Sequence, residues 1–224
     1  MLISTEAIAL SSIKYSETSI IVKCLTQSDG VKSYLIRGVR SQKKSVLNIG
    51  LFQPLTIIEI DAVHRAAKLE NIRSAKIVFP YKTIPYDVIK NALVLFLSEI
   101  LSKSIREEEK NIPLYSFIKE SIIWLDSNSK YVNFHIQFLI KFLKYLGISP
   151  DISNIHLPEF DMINGSFCGH SKNGNSNKGN VIKHFKEFLG TNFDGVGITI
   201  GSSIHRKELL EFLIKYMQIH LEDF

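Results

Sequence analysis

The chain has 224 residues, 45% hydrophobic and 22% charged, the composition of a soluble protein able to bury the core of one large domain or two small ones. Its net charge of +5 is unevenly spread: residues 1–80 carry 11 Lys+Arg against 6 Asp+Glu, whereas residues 81–224 carry 16 of each. Two distant cysteines exclude a disulfide framework and fit a reducing compartment, and the N-terminus lacks the basic n-region of a signal peptide, so a cytoplasmic protein is expected.

The first 80 residues read as β. Runs at residues 5–15 (T-E-A-I-A-L-S-S-I-K-Y), 19–27 (S-I-I-V-K-C-L-T-Q), 31–39 (V-K-S-Y-L-I-R-G-V) and 54–62 (P-L-T-I-I-E-I-D-A) are short, rich in Ile, Val, Thr and Tyr, and separated by turn residues. Asp29-Gly30 falls between the second and third runs and suits a tight hairpin. A fifth run, residues 67–79, is less clearly marked because it carries charges and two alanines. Five short strands in roughly 80 residues have the size of an OB-type barrel.

Directly after the third run comes R-G-V-R-S-Q-K-K-S, residues 37–45, with four cations and no acid. Phosphates are anionic and closely spaced, so Lys and Arg gain affinity by displacing condensed counterions. Arg37, Arg40, Lys43 and Lys44 are spaced too irregularly for one strand face, but a strand leading into a loop can point all four toward a backbone track. Gly38 permits both the turn and the close approach of a phosphate. Lys32, with Lys14 and Lys23, completes the candidate set. The competing reading is a solvated loop whose charges serve solubility. Tyr15, Tyr34 and Phe52 are the aromatics able to stack on bases, against the more ordinary use of such residues to fill a small barrel.

After Pro80 the period changes. Residues 87–105 place apolar side chains at 88, 89, 92, 93, 96, 97, 100 and 101, the spacing of one helical face. The longest apolar stretch, Ala92 to Leu101, is broken by Ser98 and Glu99 and is too short to cross a bilayer. Pro113 predicts the first turn of a second helix running to Asp126, and residues 131–146 predict a third that ends at Gly147. A short helix over residues 181–189 is expected to end the same way at Gly190, and a last one over residues 206–221 to be capped from Ser202-Ser203. The expected class is therefore α+β: an OB-fold domain over residues 1–80 and a mainly helical domain over residues 81–224. Residues 151–180 are the least regular. Their G-H-S-K-N-G-N-S-N-K-G-N is too polar to order itself, so a mobile surface loop is expected.

The segments T-E-A-I-A-L-S-S-I-K-Y-S-E-T-S-I-I-V-K-C-L-T, G-V-K-S-Y-L-I-R-G-V-R-S-Q-K-K-S and L-F-Q-P-L-T-I-I-E-I resemble the N-terminal domain of the RecO family of bacterial recombination mediators. F-L-K-Y-L-G-I-S-P-D and F-D-M-I-N-G-S-F resemble the same family further on. The resemblance implies an OB-fold followed by a helical domain, binding of single- and double-stranded DNA, and annealing of complementary strands. It also implies contacts with RecR and with the C-terminal tail of the single-stranded-DNA-binding protein, help in loading RecA, and a place at the bacterial nucleoid. The family's basic patch falls on Arg37, Arg40, Lys43 and Lys44. Relatives usually continue for a short stretch past H-L-E-D-F.

No cofactor, metal or catalytic chemistry is expected. Many members of the family carry paired C-x-x-C motifs in the loop at residues 151–180, but only Cys168 remains here, with His156 and His170, so the region reads as a degenerate zinc finger. G-V-G-I-T-I-G, residues 195–201, has neither dinucleotide nor P-loop spacing. Asp61 and His64 lack a nucleophile, and Glu107, Glu108 and Glu109 read as an exposed acidic run. Lys141, Lys144, His205, Arg206, Lys207 and Lys215 are placed to rim a groove for an acidic peptide tail, although solvated charge is the more ordinary role. A protein adaptor whose barrel docks an acidic partner instead of DNA is the second functional class that fits.

Overall fold

A computed structural model of the chain describes residues 2–40, 47–63, 69–106, 109–169, 176–191, 202–222 and 224. Its contacts divide the chain into two units, Met1–Ser129 and Lys130–Phe224. In the first, five apolar runs become strands β1 (Leu2–Lys14), β2 (Ile20–Thr26), β3 (Gly30–Ile36), β4 (Ile57–Val63) and β5 (Ile72–Ile77). They form one antiparallel sheet in the order β3-β2-β1-β4-β5. Period-two alternation turns Ile20, Val22 and Cys24 of β2, Tyr34 and Ile36 of β3, and Ile58, Ile60 and Ala62 of β4 into one core.

Among the described residues, the outer strands β3 and β5 do not pair as a ladder. Their edges meet at a single parallel bridge, Tyr34 with Glu70, where Leu35 N–H donates to Glu70 O (2.7 Å) and Glu70 N–H to Ser33 O (3.2 Å). The result is an OB-like fold with an unclosed sheet.

Helix α1 (Val88–Ser104) starts at Asp87, whose carboxylate accepts from the amides of Ile89 and Lys90. Helix α2 (Ile112–Ser127) starts at Asn111 with Pro113 in its first turn. Both helices pack with the strands inside the first unit. Ser98 donates to the carbonyl of Leu10 (3.0 Å), Ser102 to Ser11 Oγ (3.1 Å), and Tyr115 to Glu6 Oε2 (3.1 Å), which also pairs with Lys119. This explains why alternation fails in mid-β1: Ala7 and Ala9 face the barrel core, while Ile8 and Leu10 are buried on the opposite, α1-facing side.

The second unit contains α3 (Phe134–Tyr145), β6 (Glu159–Asp161), β7 (Ser166–Cys168), β8 (Ser176–Asn177), α4 (Asn180–Leu189) and α5 (Ser203–His220). Ser202 caps α5 as expected, accepting from Ile204 N–H. Gly190 does not act as a left-handed cap, since its φ is −96°. The expected loop at residues 151–180 is corrected more deeply, because β6, β7 and β8 form a three-stranded sheet in the order β7-β6-β8. The ordering comes from aromatics: the Phe160 ring packs within 5.0–5.8 Å, centroid to centroid, of Phe167, Phe185, Phe212 and Tyr216. Residues 170–175, in the polar run, lie outside the described residues.

The β6–β7 turn is closed by Asp161, which accepts from the amides of Ile163 (2.9 Å) and Asn164 (3.1 Å). Gly165 follows with φ +62°, and a Cβ there would sit 2.5 Å from the Tyr216 hydroxyl, which donates to the carbonyl of Ile148. Gly165→Ala is therefore expected to destabilise the protein by about 2 kcal/mol, combining backbone strain with a steric conflict. Thermal unfolding followed by far-UV circular dichroism checks this, and an unchanged midpoint would count against it.

Candidate nucleic-acid interface

β3 ends at Ile36, whose side chain still faces the core. If alternation continued, Arg37 would point out, residue 38 in and residue 39 out. Gly38 breaks the pattern by taking a φ of +70°, a left-handed conformation that favours glycine. Val39 is thereby turned inward, 8% exposed and part of the barrel core, while Arg37 and Arg40 are both exposed. Arg40 N–H donates to Thr18 O (3.2 Å), tying this segment to the β1–β2 loop. That loop is itself closed by the amides of Tyr15 (3.0 Å) and Ser16 (3.2 Å), both donating to Ser19 O.

Strand register puts these pieces at one end of the barrel: Lys14 lies opposite Ile20, and Ile20 opposite Ile36. The rim so formed carries Arg37, Arg40, Lys14 and the ring of Tyr15, which is 60% exposed. Lys14 is partly neutralised by Glu17 at 3.2 Å, an exposed pair of small worth. Lys43 and Lys44 lie outside the described residues.

Other candidates fall elsewhere. Lys32 sits opposite Cys24, near the far end of β3, so at ~3.3 Å per residue it lies about 16 Å along the strand from Arg37. Lys23 is a structural cation: its ammonium donates to the main-chain carbonyls of Ser102 and Ile105, closing the end of α1. Burial, with the nearby charge of Arg106, lowers its pKa. Tyr34 and Phe52, 0% and 2% exposed, are core residues and present no ring to a strand outside, which corrects their candidacy for stacking. Burial also pushes the Tyr34 phenol pKa up.

In the second unit the cations are interleaved with acids. Lys207 pairs with Glu211 (3.8 Å), Lys215 lines a hollow with Glu208 and Glu211, and His205 stacks on His184 with centroids 4.9 Å apart. No group of three or more His, Cys, Asp or Glu able to hold a metal ion occurs among the described residues, and His170 lies outside them. Among the described residues, no helix is long and apolar enough to cross a membrane.

Sequence reasoning missed the role of Val39. The available signal was one β-branched residue isolated inside a basic run, which has no use in a solvated loop.

Comparison with known proteins adds an independent line. Residues 1–81 match the family model described as Recombination protein O N terminal, and residues 85–223 the one described as Recombination protein O C terminal. The chain is 44% identical to the DNA repair protein RecO of Flavobacterium psychrophilum over 225 residues, covering 100% of this chain and 94% of that protein. It is 42% identical to the protein of that name in Flavobacterium johnsoniae and 34% to that in Bacteroides fragilis, with the same coverage.

Proposed function

Because the chain belongs to the RecO family of DNA repair proteins, we propose that it binds single- and double-stranded DNA through the cationic end of its barrel and acts without a catalytic step. The observation that carries this reading is the pair Arg37 and Arg40, both exposed and fixed on either side of a buried Val39. They lie in the third of the chain that holds the entire net charge. Annealing needs no bond chemistry: neutralising the phosphates of two strands while leaving their bases accessible is enough to speed pairing. Tyr15, exposed beside the arginines, offers a face on which one base can stack. In this reading the protein works in recombinational repair with RecR, recognises the acidic tail of the single-stranded-DNA-binding protein through its helical part, and assists the loading of RecA.

Titration of a labelled single-stranded oligonucleotide at several salt concentrations tests the reading. About five neutralised phosphates give a log–log slope near −3.5, so fourfold more salt weakens binding on the order of 100-fold. Changing Arg37, Arg40, Lys43 and Lys44 together to alanine is expected to remove up to about 2.8 of that slope. A wild-type slope near zero overturns the proposal. No DNA binding by either protein assigns the barrel to an acidic protein partner instead.

A further inference from the structure

We propose that Val39 is the positioning residue of this interface, its buried side chain holding Arg37 and Arg40 outward before any strand arrives. The inference rests on the DNA-binding reading above and extends it to a residue that touches no ligand. Three observations carry it. Val39 is 8% exposed and packs in the core cluster that includes Ile36, Leu47 and Phe52. The left-handed backbone at Gly38 (φ +70°) interrupts the strand alternation, so an apolar side chain is directed inward between two outward cations. Arg40 N–H is bonded to Thr18 O, so the main chain is pinned immediately after the anchor as well as at it.

An exposed basic segment without an anchor would have to be ordered each time it met a phosphate chain. That ordering opposes binding, and a segment already held in place avoids most of the loss. Val39 therefore acts on affinity through the arginines and contributes no charge of its own.

The experiment compares full-length wild type, Val39→Ala, Val39→Ile and the double variant Arg37→Ala/Arg40→Ala. Each binds a fluorescein-labelled oligothymidylate across a salt series, below the lowest thermal midpoint of the set. Val39→Ala is expected to bind about 5-fold more weakly with the wild-type slope, since the loosened segment contacts the same phosphates once it is ordered. Val39→Ile, which refills the site, is expected to restore the affinity. A merely structural role lowers the fraction of protein able to bind in a stoichiometric titration while the folded fraction keeps the wild-type Kd, and that result overturns the inference. So does a folded Val39→Ala with wild-type affinity and slope while the double arginine variant is weakened, in which case the DNA-binding reading survives. If the double variant binds like wild type, that placement of the interface falls and the inference falls with it.

Discussion

Asp126→Ala is expected to destabilise the first unit by about 3 kcal/mol, because it strips a shared acceptor from three successive main-chain amides at once. Asp126 as a residue is 2% exposed. It accepts from the amides of Lys82 (2.9 Å), Thr83 (2.8 Å) and Ile84 (2.9 Å), and from the Thr83 hydroxyl (3.2 Å). Three successive amides thus wrap one carboxylate at the end of α2, fixing the segment that leads from the sheet into α1. Lys90 closes the arrangement, its buried ammonium donating to Thr83 Oγ1 (2.7 Å) and to the main-chain carbonyl of Asp126 (3.1 Å).

Desolvation works against the charged carboxylate, but the hydrogen bonds from Lys82, Ile84 and Thr83 outweigh it and hold its pKa below the ordinary carboxylate value. The stabilisation is therefore present above the unfolded-state pKa and is lost as pH falls through the lower, folded-state one. Trp124, the single tryptophan of the chain, lies two residues away on the same helix and reports on this unit by fluorescence. A urea midpoint roughly 1.5 M below wild type is expected. An unchanged midpoint would mean that the amides find water or another acceptor at no cost.

The second unit is expected to lose about 3 kcal/mol as pH falls from 6.5 to 4, chiefly through His135. This residue lies in the first turn of α3, and its Nδ1 is buried without a hydrogen-bond partner. Burial, with the charge of Arg206, lowers its pKa from 6.5 to about 4. The unfolded chain therefore takes up a proton across this window that the folded chain refuses, so stability falls with acidification and is fully present above pH 6.5. Asp151 and Asp161 are held below the ordinary carboxylate value by their hydrogen bonds, so their own loss comes at lower pH. His135→Leu is expected to flatten the dependence. The comparison is thermal unfolding by far-UV circular dichroism at pH 7 and pH 4.5, and a variant that remains as acid-sensitive as wild type would reassign the effect.

Much of the architecture was legible in the residues. Runs of β-branched side chains marked the strands, and Asp87, Pro113 and Ser202 marked helix starts that the structure uses. The small sheet around Phe160 was not legible, because strands of two and three residues fall below any periodicity window, and what orders them is a set of rings brought from α4 and α5. The rim residues were legible as a basic cluster, but their directions were not. A shift of one position flips every side chain to the other face, so Tyr34 could be placed inside only once its register against Val22 was known. The acceptor role of Asp126 was hidden for a different reason: its donors lie more than forty positions earlier in the chain.

The meeting of Tyr34 with Glu70 leaves the sheet of the first unit open along a seam held by a clasp. Between β3 and the residues leading into β5, among the described residues, one bridge with two main-chain bonds stands where neighbouring strands share a ladder. The same β3 that forms one lip of the seam leads straight into Arg37 and Arg40. Any opening of that seam would therefore be carried to the two arginines through a single strand.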